Sequence, residues 1–373
     1  MTASGPATVI ILAAGEGTRM RTSTPKMLNE VCGRAMLGHV VAAARELSPR
    51  QLIMVVSDAD GQVAGYAREH FPDTTLVVQE RCGSWGTGHA VRTVIESLGI
   101  IPGTVVVLFS DTPMLRGQTL ISLAAAHYAT GAAVTVLTAE APDPKGYGRI
   151  LRDDSGLISG IVEEADASDE QRAVTEISSG MFAFDGNLLA DAVKRVPAAR
   201  ATGEEYLTEV PAILRADGHL VASVFCPDFD EIQGVNDQEQ LARARRVLNE
   251  RLLARWMAHG VTIVDPATTW VDVDVRIEPG ARIAPGTQLE GRTTIGAGAS
   301  VGPGCLLRDS LVGAGATILQ AVCEAAVIQP GAAVGPFAHL TKGPDPDNGG
   351  KRARMHGQVP GHGSSSTWQS KES

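Results

Sequence analysis

The chain has 373 residues, 44% of them hydrophobic and 20% charged, with a formal net charge of −10. That length holds roughly two domains of about 150 residues each, and the acidic balance, with no basic run before Lys351, argues against a nucleic-acid partner. No basic leader precedes Val9, and the apolar run Val9 to Ala14 is too short for a signal sequence or a membrane span, so a cytoplasmic protein without membrane association is expected.

The first element is a strand ending near Leu12, followed by a glycine-rich loop; together they read VIILAAGEGTRMRTSTPK over 9–26. The β-rich runs LIMVVS (52–57), TLVVQ (75–79), TVVVLF (104–109) and AAVTVLT (132–138) then alternate with helix-patterned segments to about Phe225. Continuous apolar runs suit parallel strands buried on both faces, and so predict an open α/β sheet. Ligands of such sheets bind at the carboxyl ends of the strands, where the loops after Leu12 and Phe109 belong.

A helical pattern follows, with Leu241, Ala244, Leu248, Leu252 and Trp256 on one face and Gly260 placed to end it. Beyond it Ile277, Ile283, Leu289, Ile295, Val301 and Leu307 recur every six residues, with Gly280, Gly286, Gly298 and Gly304 at turn positions. This hexapeptide period predicts a short left-handed parallel β-helix. Its register slips at Val312, recovers at Ile318 and is last seen at Ile328 and Val334, giving about three coils. The boundaries drawn are 1–236 for the α/β domain, 237–260 for a linker helix, 261–340 for the β-helix and 341–373 for a disordered tail. The five cysteines, Cys32, Cys82, Cys226, Cys305 and Cys323, lack metal or disulfide spacing and read as small buried hydrophobes.

The opening loop fits neither common phosphate signature. Met20 stands where a dinucleotide fingerprint needs its third glycine, no acidic residue follows about 20 positions later, and G-x-x-x-x-G-K-[ST] is absent. What remains is a glycine turn whose amides can approach an anion, with Arg19 and Lys26 as cations seven residues apart. A surface turn with solvated charges is the alternative. Asp111 follows TVVVLF, where a hard carboxylate could hold Mg²⁺ against phosphate oxygens or simply cap a turn or helix before Pro113. Asn236 is likewise placed to cap the helix that follows it.

At LAAGEGTRMRTSTPKML the chain resembles the sugar-1-phosphate nucleotidyltransferases, L-x-x-G-x-G-T-x-M-x-x-x-x-P-K. It resembles specifically the N-acetylglucosamine-1-phosphate uridylyltransferase half of the bifunctional enzymes that also acetylate glucosamine 1-phosphate. The resemblance continues in order through GTGHA (86–90), DTP (111–113), GYGRI (146–150), IVEEADA (161–167), EEYLTEV (204–210), GVN (234–236) and VDPATTW (264–270), covering roughly residues 8 to 340. It implies a Rossmann-like nucleotidyltransferase domain followed by the β-helix. It also implies Mg²⁺-dependent transfer of UMP from UTP to N-acetylglucosamine 1-phosphate, a step that supplies peptidoglycan synthesis.

By the same resemblance Leu12, Ala13, Ala14 and Gly15 line the uridine site, Arg19 grips the leaving phosphates and Lys26 meets the α-phosphate. Gln79, Gly86 and Thr87 recognise uracil, Gly148, Glu163 and Ser178 face the sugar, and Asp111 and Asn236 are the two protein ligands of Mg²⁺. An attacking phosphate is already ionised at neutral pH, so no general base is needed, and His89 reads as structural. A homotrimer through the β-helix is implied, although three coils offer a small interface.

The chain departs from the family pattern at several points. Ser110 replaces a glycine before the metal aspartate, Ser178 replaces an asparagine, the stretch between Gln79 and Gly86 is about two residues longer, and Ala198-Ala199-Arg200 replaces a more polar lead-in. In the bifunctional family the β-helix continues through coils that carry a catalytic histidine and an acetyl-CoA site. Here the similarity stops after VGPFAHL, so a truncated or frameshifted acetyltransferase part is expected, with no such role for His339, His356 or His362. A non-catalytic sugar-nucleotide-binding or assembly subunit, and a nucleotidyltransferase for another sugar phosphate, stand as alternatives.

Overall fold

The computed structural model describes residues 7–15, 17–80, 85–199 and 203–341. Cys82, Arg200, His356, His362 and the expected tail from 342 onward lie outside the described residues. The chain divides within a long helix into two compact units, up to Leu248 and from Asn249.

The first unit is built on a mixed sheet. Its main path runs Val221–Phe225, Val134–Glu140, Glu176–Asp185, Thr104–Phe109, Thr8–Leu12, Gln51–Val56, Thr75–Val78. All neighbours on this path are parallel except Glu176–Asp185, which runs antiparallel to both of its neighbours. A hairpin of Gly148–Arg152 and Ile158–Val162 hangs from that antiparallel strand.

Alternation within one strand shows why the runs are apolar throughout. Val9 and Ile11 join one core with Leu37, Val40, Leu120 and Leu123, whereas Ile10 and Leu12 join another with Val91, Val94, Leu189 and Val210. Helices therefore cover both faces, and each fully buried aliphatic side chain adds about 1.5–3 kcal/mol relative to exposure.

The long helix spans Gln238–Ala258. Gly260 ends it with φ of 83°, a left-handed conformation that glycine adopts without strain.

The second unit is a parallel β-helix of the left-handed hexapeptide type, with three sheets of five, five and four short strands. That is more than four coils, not three. Two features hid the others. Ile263 and Val271 of the first coil point inward but are eight residues apart, because 264–269 bulge out as a turn. Later coils shorten: Trp270 pairs with Gln288 eighteen residues on, Thr294 with Leu311 seventeen on, and Thr317 with Ala333 sixteen on. The slip at Val312 is thus a shortened corner, and Cys323, inward-facing after a step of five, continues the ladder between Ile318 and Ile328.

Cys226, Cys305 and Cys323 are buried, but Cys32 is not. It occupies the tight turn between Glu30–Val31 and Arg34–Ala35 with φ of 48°, so turn geometry outweighs burial there. His339 lies exposed in the terminal strand His339–Thr341. Among the described residues no helix is long and apolar enough to cross a membrane.

Candidate active site

Strands Thr8–Leu12 and Thr104–Phe109 end in register, with Leu12 beside Phe109, so the loops that follow them open at one edge of the sheet. The Ser110 amide ties the two together by donating to the Leu12 carbonyl at 3.2 Å. The first loop turns through a 3₁₀ segment, Thr18–Met20, flanked by Gly17 and Arg21 at positive φ. Met20 fastens it by burying its side chain with Val31, Met36, Met114, Val235 and Leu241. Gly17 is required twice over: its φ is 62°, and a β-carbon there would overlap the Lys26 side chain.

Four side chains converge where the loops meet. Lys26 Nζ forms an ion pair with Asp111 Oδ2 and donates to Asn236 Oδ1 at 3.0 Å, and Arg19 Nη2 donates to the same amide oxygen at 2.9 Å. Asn236 reaches this point because the Val235 amide donates to the Asp111 carbonyl at 2.9 Å. Neither acceptor serves as a helix cap. Asp237 Oδ1 takes the Gln240 amide at 2.8 Å at the start of the long helix, and the helix after Asp111 begins only at Gly117.

A cavity of about 380 Å³ opens from this cluster, lined by Leu12, Ala14, Gly15, Gln79, Gly86 and Thr87 together with Arg19, Lys26 and Asp111. A second of about 400 Å³ adjoins it, lined by Gly148, Glu163 and Ser178 among others, and Arg19, Thr87, Phe109 and Asp111 line both. Ala13 belongs to neither. It is buried and lines a third cavity with Arg21, Ser57 and Asp58.

Within the first cavity Gln79 Nε2 donates to the Gly86 carbonyl at 3.1 Å and lies 3.0 Å from His89 Nδ1. Gly86, at φ of 127°, packs so closely on the Glu205 backbone that no side chain fits. In the second cavity Glu163 Oε1 accepts from Thr208 Oγ1 at 2.7 Å. Burial raises the Glu163 carboxyl above the usual range, Thr208 opposes that rise, and the nearby acids Glu209, Asp166 and Glu204 add to it. Burial, and after it the Asp111 charge, also raise the Tyr147 phenol. The Ser178 hydroxyl turns onto the Gly180 amide at 3.2 Å, at a bulge where the Phe109 ring fills the space a Gly180 side chain would need.

Behind the second cavity Arg149 is only 1% exposed. Its guanidinium donates to the Tyr147 carbonyl and to Glu164 Oε2, the latter at 2.6 Å, while Glu164 also accepts the Gly146 amide at 3.2 Å. This clamp fixes the loop that carries Gly148.

Asp111 and Asn236 present two hard oxygens to one ammonium, a donor set that suits a small divalent cation. Among the described residues no group of three or more His, Cys, Asp or Glu is poised for a metal. Thr208, Phe109, Trp85 and Val235 are site residues that sequence reasoning left unassigned. For Thr208 the signal was present in EEYLTEV, but its partner Glu163 lies 45 residues away.

Residues 9–252 match the MobA-like NTP transferase domain family. The chain is 55% identical over 345 residues to the bifunctional protein GlmU of Streptomyces avermitilis, covering 92% of this chain and 71% of that one. It is 54% identical over 334 residues to the bifunctional protein GlmU of Thermobifida fusca, covering 88% and 69%. The chain belongs to the GlmU family. As a GlmU-family nucleotidyltransferase it carries its NTP transferase domain in the first unit, on the sheet edge where the four polar side chains meet.

Proposed function

We propose that this chain transfers UMP from UTP to N-acetylglucosamine 1-phosphate, giving UDP-N-acetylglucosamine and pyrophosphate, an activated amino sugar for peptidoglycan synthesis. The observation that carries the reading is the pair of adjoining cavities joined at Arg19, Thr87, Phe109 and Asp111, with the Lys26 ammonium at the junction. One cavity takes the nucleotide, the other the sugar phosphate. Asp111 and Asn236 hold Mg²⁺, which neutralises phosphate charge when bound.

A phosphate oxygen of the sugar 1-phosphate forms the new bond to the α-phosphorus as the bond to the β-phosphate oxygen breaks, and pyrophosphate leaves with the electron pair. The nucleophile is already anionic, so the protein's work is positioning and charge stabilisation. Lys26 neutralises the α-phosphate, Arg19 holds the departing phosphates, and Glu163 with the Gly148 backbone orients the sugar.

Pyrophosphate release from four nucleoside triphosphates, each with several sugar 1-phosphates and Mg²⁺, tests the reading. UTP with N-acetylglucosamine 1-phosphate is the expected best pair, and a better rate with another pair, or none at all, overturns it. Ser110 and Ser178 favour a second reading, a sugar-nucleotide-binding subunit without turnover. UDP-sugar binding that survives Asp111→Ala, with no pyrophosphate from the parent chain, would select it. Acetyl transfer is outside the proposed activity, and thiol release from acetyl-CoA with glucosamine 1-phosphate would contradict that. Self-association through the coils would cover Leu311 and Val327, cross-strand neighbours 50% and 66% exposed, and sedimentation measures it.

A further inference from the structure

Beyond the four converging side chains stands a residue that lines neither cavity. His89 sits half-buried in the helix Thr87–Leu98, and its ring meets the site through Gln79. Gln79 is 8% exposed, and its amide orientation follows from its partners. The Gly86 carbonyl can only accept, so the nitrogen of the Gln79 amide must face it. The second hydrogen on that nitrogen then points to His89 Nδ1, which must accept. An accepting Nδ1 puts the ring proton on Nε2 and requires the neutral imidazole. With both amide hydrogens engaged, Gln79 has only its oxygen to offer a ligand. An amide oxygen matches the N3–H of uracil, whereas cytosine presents an acceptor at that position.

We infer that His89 is a positioning residue whose Nδ1, by accepting from the Gln79 amide, holds that amide in its uracil-selecting orientation. The inference rests on the uridylyl-transfer reading and adds to it the device that fixes base choice. Without the acceptor at Nδ1 the Gln79 amide loses one of its two anchors.

Other charges around this helix are accounted for. Arg92 pairs with Glu96 on the helix and with Glu205. Of the elements packed against it, the 3₁₀ turns bring Lys194, Arg195 and Glu209, while strands Thr8–Leu12 and Thr75–Val78 bring no charged group.

The test compares wild type with His89→Asn and His89→Ala. It measures kcat, KM for UTP and for N-acetylglucosamine 1-phosphate, and UTP over CTP preference. Asparagine sets an oxygen acceptor close to where Nδ1 stands and cannot be protonated there. His89→Ala is expected to raise the UTP KM roughly three- to tenfold, the loss of one hydrogen bond, with the sugar-phosphate KM unchanged and the preference for UTP reduced. His89→Asn is expected to keep the low UTP KM and the preference for UTP. In a Gln79→Ala background His89→Ala should add nothing.

An indifferent His89→Ala, or a His89→Asn as impaired as His89→Ala, overturns the proposal. A wild type that does not turn over UTP overturns the functional reading and this proposal together. Turnover with an indifferent His89→Ala overturns this proposal alone.

Discussion

The amide of Val235 donates to the main-chain carbonyl of Asp111 at 2.9 Å, and this backbone bond sets the Asn236 side chain beside the Asp111 carboxylate although 125 residues separate them. On the proposed reading the two oxygens hold one Mg²⁺, so loss of either should weaken the same cation. Asp111→Ala and Asn236→Ala are each expected to lower turnover by about 10²–10³, as when a group stabilising developing charge is removed. Both should also raise the Mg²⁺ concentration for half-maximal pyrophosphate release. Val235→Pro, which removes the donor and also disturbs the buried cluster around Met20, should shift the Mg²⁺ curve in the same direction. A Mg²⁺ curve unmoved by all three rules out these ligands.

The opening loop separates three basic residues by role. Arg19 and Lys26 meet at the Asn236 amide oxygen, whereas Arg21 lines a different cavity, with Ala13, Ser57 and Asp58. Arg19→Ala and Lys26→Ala should each lower kcat by roughly 10²–10³ with the fold intact. Arg21→Ala should leave the rate within about twofold, since distant surface changes alter little. Gly17→Ala should resemble Lys26→Ala, because its new methyl displaces the Lys26 stem. Steady-state kinetics with circular dichroism on each variant decides the assignment, and equal losses at all three basic residues contradict it.

Much of the fold was legible because its signals are local. The runs around Ile10, Ile53 and Val106 are apolar at every position, which only a sheet covered on both faces accommodates, and the six-residue step from Ile277 to Leu307 admits few folds. The coil count failed where the step became eight before Val271 and five before Val312, since shortened corners leave no mark in composition. The site was legible in its loop but not in its assembly. Nothing in spacing brings Lys26 to Asn236, or Thr208 to Glu163, because those contacts arise from strand order and a crossover.

The Arg149–Glu164 clamp gives a prediction that separates the two cavities. Glu164→Gln leaves a guanidinium that is 99% buried with a weaker partner, at a cost of about 2 kcal/mol, below the full value for a buried pair because Glu164 is partly solvated. Since the clamp fixes the loop of Gly148, the sugar-phosphate KM should rise while the UTP KM holds. Urea unfolding with KM measurements for both substrates checks this. A change confined to UTP would place the clamp on the wrong side of the site.

Glu163 and Glu164 are adjacent, yet their environments push them in opposite directions, which yields opposite dependences on pH. Hydrogen bonding from Arg149, then from the Gly146 amide, lowers the Glu164 carboxyl, so its contribution to stability is present above the ordinary carboxylate range and is lost as the pH falls through its lowered value. Glu163 is raised, chiefly by burial, so the folded protein holds that proton more tightly than the unfolded chain does. Its contribution is therefore greatest in acid and is lost as the pH rises through the raised value, where ionisation costs stability. Glu163→Gln removes that cost while keeping an oxygen for the Thr208 hydroxyl. The variant should melt higher than wild type at neutral pH, and the gap should close on acidification as the wild-type side chain becomes neutral. The same change should raise the sugar-phosphate KM by roughly 10- to 100-fold, the loss of a hydrogen bond to a charged group. A variant that melts lower than wild type at neutral pH would show that the Glu163 charge supports the fold rather than the substrate.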